Sequence, residues 1–217
     1  YLSIFPKNCL SDKKIGVYQH SAVGRDIIVK VLKELGADVI ILGRSDEFIP
    51  VDTESIRRED VEFALKWSEE HNLDLIVSTD GDSDRPLISD ENGKWIRGAL
   101  IGILVSDYLN ADSVSTPITS NTALEIANEG KNIFRTKIGS PFVIESMIKS
   151  SKNYSRVVGF EANGGFLTGS DFVINNQSQH LVLPIGTFNT SIRPFLSLGK
   201  NGIVDNKKYT QFLKRYK

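Results

Sequence analysis

The strongest constraint on the fold of this chain is an alternation of short apolar runs with segments of helical period, punctuated by glycine and capping residues. Ile15-Gly16-Val17-Tyr18 reads as a buried strand, and the apolar positions Ile27, Ile28, Val31, Leu32 and Leu35 then follow helical spacing. Ser21 is placed to cap that helix and Gly36 to end it, since helices commonly close on a residue that tolerates the left-handed conformation. Residues 37–42 (ADVIIL) form a continuous apolar run between Gly36 and Gly43, the pattern of a parallel strand covered on both faces. Residues 58–70 carry acidic side chains early and Val61, Phe63, Ala64, Leu65 and Trp67 after them, which predicts a helix leading into a strand at 73–77. Another helix is expected within 94–110, closing a first domain.

The rhythm then repeats. Strands are expected at 113–115, 133–137 and 156–160, with helices near 122–128 and from 141 to 149. Ser140 followed by Pro141 suits a helix start, because a hydroxyl can cap and proline is preorganised for the first turn. Strands alternating with helices at this spacing imply an α/β fold of two similar three-layer α/β/α domains with mainly parallel sheets. The expected division is 1–110 for the first domain, 111–198 for the second and 199–217 for a basic tail with no assigned element.

Composition narrows the partner. Lys+Arg 26 against Asp+Glu 27 leaves a formal charge of -1, and neither sign gathers into the block that marks a nucleic-acid surface. The expected ligand is small, with no nucleic acid and no membrane involved. Cys9 is the single cysteine, which excludes an internal disulfide, and no apolar run is long enough to span a bilayer. A reducing cytoplasm is the expected setting.

Asp80-Gly81-Asp82-Ser83-Asp84-Arg85 places three carboxylates at alternate positions directly after an apolar strand, so that their oxygens can converge on one cation while Gly81 lets the backbone curl. Hard oxygen ligands suit magnesium, whose octahedral shell would keep positions open for water or a phosphate oxygen. A solvated acidic turn is the plain alternative, because Asp and Gly favour turns for local reasons. A calcium EF-hand would use Asp80, Asp82, Asp84 and Glu91, but its sixth position needs glycine, and here Arg85 is followed by Pro86. A haloacid-dehalogenase-like phosphatase would use Asp80 as nucleophile and Asp82 as acid/base, and Asp84 stands where threonine or valine is usual there.

Gly159-Phe160-Glu161-Ala162-Asn163-Gly164-Gly165-Phe166 offers a carboxylate and an amide on a glycine-flexed loop, groups suited to neighbouring sugar hydroxyls. The same residues read as a tight hairpin turned at Asn163-Gly164, and a turn can present Glu161. Thr136-Lys137-Ile138-Gly139-Ser140 lies at a strand-to-helix junction, where the helix dipole and Lys137 can attract an anion; a capped helix with a solvated lysine explains it equally. His20, His71 and His180 show no ligand spacing and are expected to be ordinary surface or packing residues.

The stretch from Ser78 to Pro86 resembles the metal-binding loop of the alpha-D-phosphohexomutase superfamily (phosphomannomutase/phosphoglucomutase), and that from Gly159 to Phe166 resembles its sugar-recognition loop, usually Gly-Glu-x-Ser-Gly. The resemblance runs from about Lys14 to about Asn175 and corresponds to the second and third of the family's four domains. It implies Mg2+ on Asp80, Asp82 and Asp84, with Arg85 balancing the aspartates and touching phosphate. It also implies sugar contacts from Glu161, Asn163 and Gly164, and substrate contacts from the junction loop at Lys137, Gly139 and Ser140. The implied partner is a hexose phosphate (mannose or glucose 1- or 6-phosphate), and the implied reaction is Mg-dependent intramolecular phosphoryl transfer through a phosphoserine. No segment like Thr-Ala-Ser-His-Asn-Pro, which carries that serine, occurs in this sequence, and Ser191-Ile192-Arg193-Pro194 is a poor echo of the family's terminal phosphate loop. The expectation is a partial phosphohexomutase from a truncated or frame-disrupted gene, with no catalytic residue of its own and little or no turnover alone. A non-catalytic sugar-phosphate-binding module remains the alternative outside enzymology.

Overall fold

The computed structural model describes residues 2, 5–127, 130–169, 172–174 and 177–179. Ser191 to Pro194, His180, the expected domain end at 198 and the tail from 199 lie outside the described residues.

The chain divides into two compact units, the first running to Gly98 and also taking the described residues of 173–179, the second beginning at Ala99. In the first, β1 (Lys14–His20), α1 (Arg25–Glu34), β2 (Asp38–Arg44), α2 (Arg58–His71), β3 (Leu75–Thr79), β4 (Pro86–Ser89) and β5 (Trp95–Ile96) follow in order. The sheet order is β2-β1-β3-β4-β5, with β1 parallel to both neighbours and β4 and β5 added antiparallel. Because β2 lies on one side of β1 and β3 on the other, right-handed crossovers send α1 and α2 to opposite faces, which yields the three layers. Under α2 the core gathers Tyr18, Leu42, Ala64, Leu73, Ile76 and Leu87. Gly16 is required there, since a Cβ would stand 2.6 Å from Leu42 and 2.7 Å from Leu73.

Several local expectations are corrected. α1 starts later than the sequence pattern suggested, at Arg25 after Gly24, and Ser21 does not cap it. The Ser21 hydroxyl instead accepts from the Ile49 amide at 2.8 Å. The buried face of α1 is Ile28, Val29 and Leu32, while Ile27 is 67 % exposed. Gly36 does end the turn, with φ 98°. The run 37–42 is not covered on both faces: β2 is an edge strand of its sheet and Ile41 is half exposed. In α2 the buried positions are Asp60, Ala64 and Ser68, whereas Val61, Phe63 and Leu65 face outward. Asp60 is tolerated inside because Tyr18 donates to it at 2.9 Å and Arg57 clamps both of its oxygens at 2.7 and 2.8 Å.

The second unit holds α3 (Gly98–Tyr108, from Ala99 on), β6 (Ser113–Pro117), α4 (Ala123–Ala127), β7 (Asn132–Thr136), α5 (Ser140–Ser150), β8 (Val157–Phe160) and β9 (Phe166–Thr168). Its sheet order is β7-β6-β8-β9, again with a parallel core and an antiparallel last strand. The division after Gly98 falls earlier than the boundary at 110 read from the sequence, and packing explains it. A Cβ on Gly102 would meet the Phe160 ring at 2.4 Å, so α3 lies directly on β8 of the second unit. α5 seats on the same strand through Gly159, where a Cβ would come within 2.5 Å of Met147 and 2.6 Å of Val143. Two short strands, β10 (Phe172–Ile174) and β11 (Gln177–Gln179), pair with each other. Among the described residues no helix is long and apolar enough to cross a membrane.

The two sheets are wound alike. Each places its first strand at the centre, crosses to an edge, crosses back, and follows the third strand with an antiparallel hairpin partner. Residues 80–85 and 161–165 are the loops of those two hairpins, at matching places in the two units.

Candidate functional site

Thr79 pairs with Pro86 at the mouth of the first hairpin, and the loop between them is held by its own polar groups. The Asp80 amide donates to the Arg85 carbonyl at 3.2 Å, the Arg85 amide to Asp80 Oδ1 at 3.1 Å, and the Ser83 amide to the Asp80 carbonyl at 3.3 Å. The left-handed residue of the loop is Ser83, with φ 67°, and not Gly81 as expected. Its hydroxyl compensates by anchoring the loop: it accepts from the Gly24 amide at 2.9 Å and lies 3.0 Å from the Thr79 hydroxyl. The Val23 amide adds a bond to the Gly81 carbonyl at 3.0 Å.

This scaffold brings carboxylate oxygens of Asp80, Asp82 and Asp84 within 4.8 Å of one another. Asp80 is the inner member, its side chain 13 % exposed, while Asp84 is 66 % exposed. Burial, with the charges of Asp84 and Asp82 adding to it, pushes the Asp80 carboxyl up to about 6. The Arg85 Nε stands 3.7 Å from Asp80 and 3.6 Å from Asp84, an ion-pair distance that only partly offsets this repulsion. The donor set therefore fits a hard divalent cation: three anionic oxygens, one of them poorly solvated, aimed at one place. The strand-loop-strand setting is not that of an EF-hand, whose calcium loop joins two helices.

His20 was not expected here. It is fully buried, at the end of β1, and its Nε2 lies 2.9 Å from the Thr79 carbonyl, so Nε2 carries the proton and donates. Burial pushes its pKa down, which favours the neutral ring, and among the described residues no partner meets its buried Nδ1. A register count could have found it: with Val17 opposite Val77, His20 falls level with Asp80.

In the second hairpin Phe160 pairs with Phe166, and the loop closes by bonds from the Glu161 amide to the Gly165 carbonyl at 2.8 Å and from the Gly164 amide to the Glu161 carbonyl at 3.1 Å. Gly164 takes φ 98°, which explains its glycine. The Asn163 side-chain oxygen accepts from the Gly165 amide at 2.8 Å, so that oxygen shapes the turn. The Thr116 hydroxyl holds the Phe160 carbonyl at 2.8 Å from the neighbouring parallel strand.

The junction before α5 meets this loop through one side chain. Ser140 was expected to cap α5; the cap position is Gly139, with φ 118° and no side chain, and the Ser140 hydroxyl donates to Glu161 Oε2 at 2.6 Å. Pro141 sits in the first turn as expected. Lys137 turns toward Phe142, its Nζ 5.6 Å from the ring centroid.

Comparison with known proteins agrees with this architecture. Residues 4–93 match phosphoglucomutase/phosphomannomutase alpha/beta/alpha domain II, and residues 97–178 match alpha/beta/alpha domain III of the same family. The chain belongs to the phosphoglucomutase/phosphomannomutase family. It is 50% identical over 177 residues to a phosphomannomutase of Salmonella muenchen, an alignment covering 82% of this chain and 37% of that protein. It is 44% identical over 192 residues to a phosphomannomutase of Sinorhizobium fredii, covering 85% of this chain and 40% of that one. The chain thus spans well under half the length of these curated relatives. Among solved structures, a phosphoglucomutase/phosphomannomutase family protein of Burkholderia thailandensis shares the fold with a TM-score of 0.66 at 14% identity, covering 88% of this chain and 41% of that chain.

Proposed function

We propose that this chain forms the metal-holding and sugar-holding domains of a phosphohexomutase that interconverts the 1- and 6-phosphates of mannose or glucose. Support comes from the family membership, and the observation that carries the reading is the convergence of Asp80, Asp82 and Asp84 on a hairpin loop held by its own hydrogen bonds. An Aspergillus fumigatus N-acetylphosphoglucosamine mutase of this fold, with a TM-score of 0.50 at 14% identity, was solved with GlcNAc-6P and magnesium. In this chain Asp80, Asp82 and Asp84 would hold Mg2+. When bound, the ion supplies positive charge against a phosphoryl group in transfer. Arg85 is then released from Asp80 and Asp84 and becomes available to phosphate oxygens. Glu161 accepts hydrogen bonds from sugar hydroxyls, with Asn163 and Gly164 forming the turn that presents it. Lys137, Gly139 and Ser140 form the adjoining edge of the substrate site. No residue is assigned as phosphoryl carrier, so the chain alone is proposed to bind without turnover, in a cytoplasmic setting.

Isothermal titration with Mg2+ and with mannose 1-phosphate tests this. The expected result is magnesium binding abolished in Asp82→Asn and sugar-phosphate binding weakened in Glu161→Gln, with no phosphate released. Magnesium-dependent release of inorganic phosphate, lost in Asp80→Asn, would replace the mutase reading with a phosphatase.

A further inference from the structure

We propose that Ser140 is a positioning residue for Glu161, holding the carboxylate in the orientation that receives the sugar; the inference rests on the sugar-binding reading of that loop. The backbone around Glu161 is already fixed. Its amide donates to the Gly165 carbonyl at 2.8 Å, its carbonyl accepts from the Gly164 amide at 3.1 Å, and the preceding carbonyl of Phe160 is held by Thr116 at 2.8 Å. What remains free in such a loop is the glutamate side chain, whose several torsions would have to be frozen each time a sugar binds. The Ser140 hydroxyl removes that freedom by donating to Oε2 at 2.6 Å, the short length of a hydroxyl bonded to an anionic oxygen.

The placement of Ser140 follows from the start of α5. Gly139, which has no side chain, occupies the cap position, and no side-chain bond caps the helix. The serine hydroxyl is therefore not drawn back to its own helix and can reach across to the hairpin. Its single proton commits to Oε2, and Oε1 is held in place with it as the oxygen offered to a ligand donor. The junction before α5 and the sugar loop thus act as one recognition unit, in which the helix start aims the glutamate and the glutamate meets the sugar. A serine touching the sugar directly and independently would give a different pattern of energies, and the two are separable.

The test is a double-mutant cycle on the whole chain, with mannose 1-phosphate as probe and calorimetric Kd as readout. Ser140→Ala is expected to weaken binding about threefold to tenfold, the cost of ordering one long side chain on binding. Ser140→Thr, which keeps the hydroxyl, is expected to bind as the parent does. In the Glu161→Ala background, which has no acceptor for the serine proton, the Ser140→Ala effect is expected to shrink severalfold. Equal effects of Ser140→Ala in both backgrounds would overturn the proposal in favour of a direct contact, as would parent-like binding by Ser140→Ala. If the parent chain and Glu161→Gln bind the probe equally, or neither binds, the sugar-loop reading fails. Side-chain NMR of Glu161 in the unliganded chain then decides the positioning claim. Rotamer averaging of Glu161 that appears in Ser140→Ala supports it, and an unchanged side-chain conformation and order overturns it.

Discussion

The imidazole of His20 stands 2.9 Å from the carbonyl of Thr79, tying the strand that ends at the aspartate loop to the parallel strand beside it. Thr116 does the same for Phe160 in the other unit, at 2.8 Å. In both units, then, the last carbonyl before the functional hairpin is held by a side chain of the central strand. Antiparallel pairing resumes only beyond each loop, so this contact fixes where the loop begins.

Removing either anchor takes from a buried carbonyl its short hydrogen bond, and for Thr79 leaves the Ser78 hydroxyl at 3.4 Å. His20→Ala, which also opens a cavity, is expected to cost about 2–4 kcal/mol, and Thr116→Val about 1–3 kcal/mol. Urea denaturation of each variant checks the size. His20→Ala should additionally weaken magnesium binding, whereas Thr116→Val should leave it unchanged.

The titration of Asp80 gives magnesium binding a direction in pH. Its folded pKa of about 6 lies above the ordinary value of 3.8, so in the metal-free chain a proton is held that the cation must displace. Affinity should therefore rise as pH increases through about 6 and level off above it. The same shift has the opposite sign for the metal-free fold. A group whose folded pKa is raised favours the folded state below its unfolded value, and that contribution is lost as pH rises through the folded one. Thermal melts with and without Mg2+ between about pH 5 and pH 8 should accordingly diverge as pH increases. A gap that stays constant would contradict the assignment.

Gly24 and Ser83 offer a geometric test of the loop. A Cβ on Gly24 would sit 2.9 Å from both the Cβ and the hydroxyl of Ser83, so Gly24→Ala must displace the aspartate loop. Weaker magnesium binding is expected. Adding Ser83→Gly removes the obstructing atoms and suits the left-handed φ of 67° there, but it also removes the hydroxyl that anchors the loop to Gly24 and Thr79, so the double variant should recover only part of the affinity. Failure to recover would mean that the bonds of the Ser83 hydroxyl to Gly24 and Thr79 matter more to the loop than the clash.

Much of this architecture was legible in the sequence for simple reasons. The β-α alternation carries two distinct hydrophobic periods, Gly36 and Asn163-Gly164 mark real turns, and Pro141 marks a real helix start. What escaped reading depends on neighbours distant in the chain. β4 and β5 are short and gain their meaning only from pairing across a loop, whereas the β8–β9 hairpin was readable from its Asn163-Gly164 turn. An apolar run such as ADVIIL looks equally suited to a central or an edge strand, and the sheet order makes it an edge. Ser21 and Ser140 both looked like helix caps. Each spends its hydroxyl on a partner from another element, Ile49 in one case and Glu161 in the other. The aspartate loop was visible because its ligands are adjacent in sequence, and His20 was not because only strand register brings it there.

Asp60 is the buried charge on which the first unit's core depends. Asp60→Ala would strip Arg57 and Tyr18 of their partner and is expected to destabilise by about 3–5 kcal/mol, against about 1 kcal/mol for Tyr18→Phe. Chemical denaturation distinguishes the two. Near-equal losses would mean that the ion pair contributes little.

The most direct test of the account replaces magnesium with Mn2+, which also favours oxygen ligands and broadens nearby NMR signals. In an amide spectrum of the chain, substoichiometric Mn2+ should bleach residues 80–85 together with Val23 and Gly24. Mannose 1-phosphate should shift signals at 161–165 and Ser140. Bleaching confined to other residues, or none that Asp82→Asn abolishes, would contradict the claim that these three aspartates form a metal site.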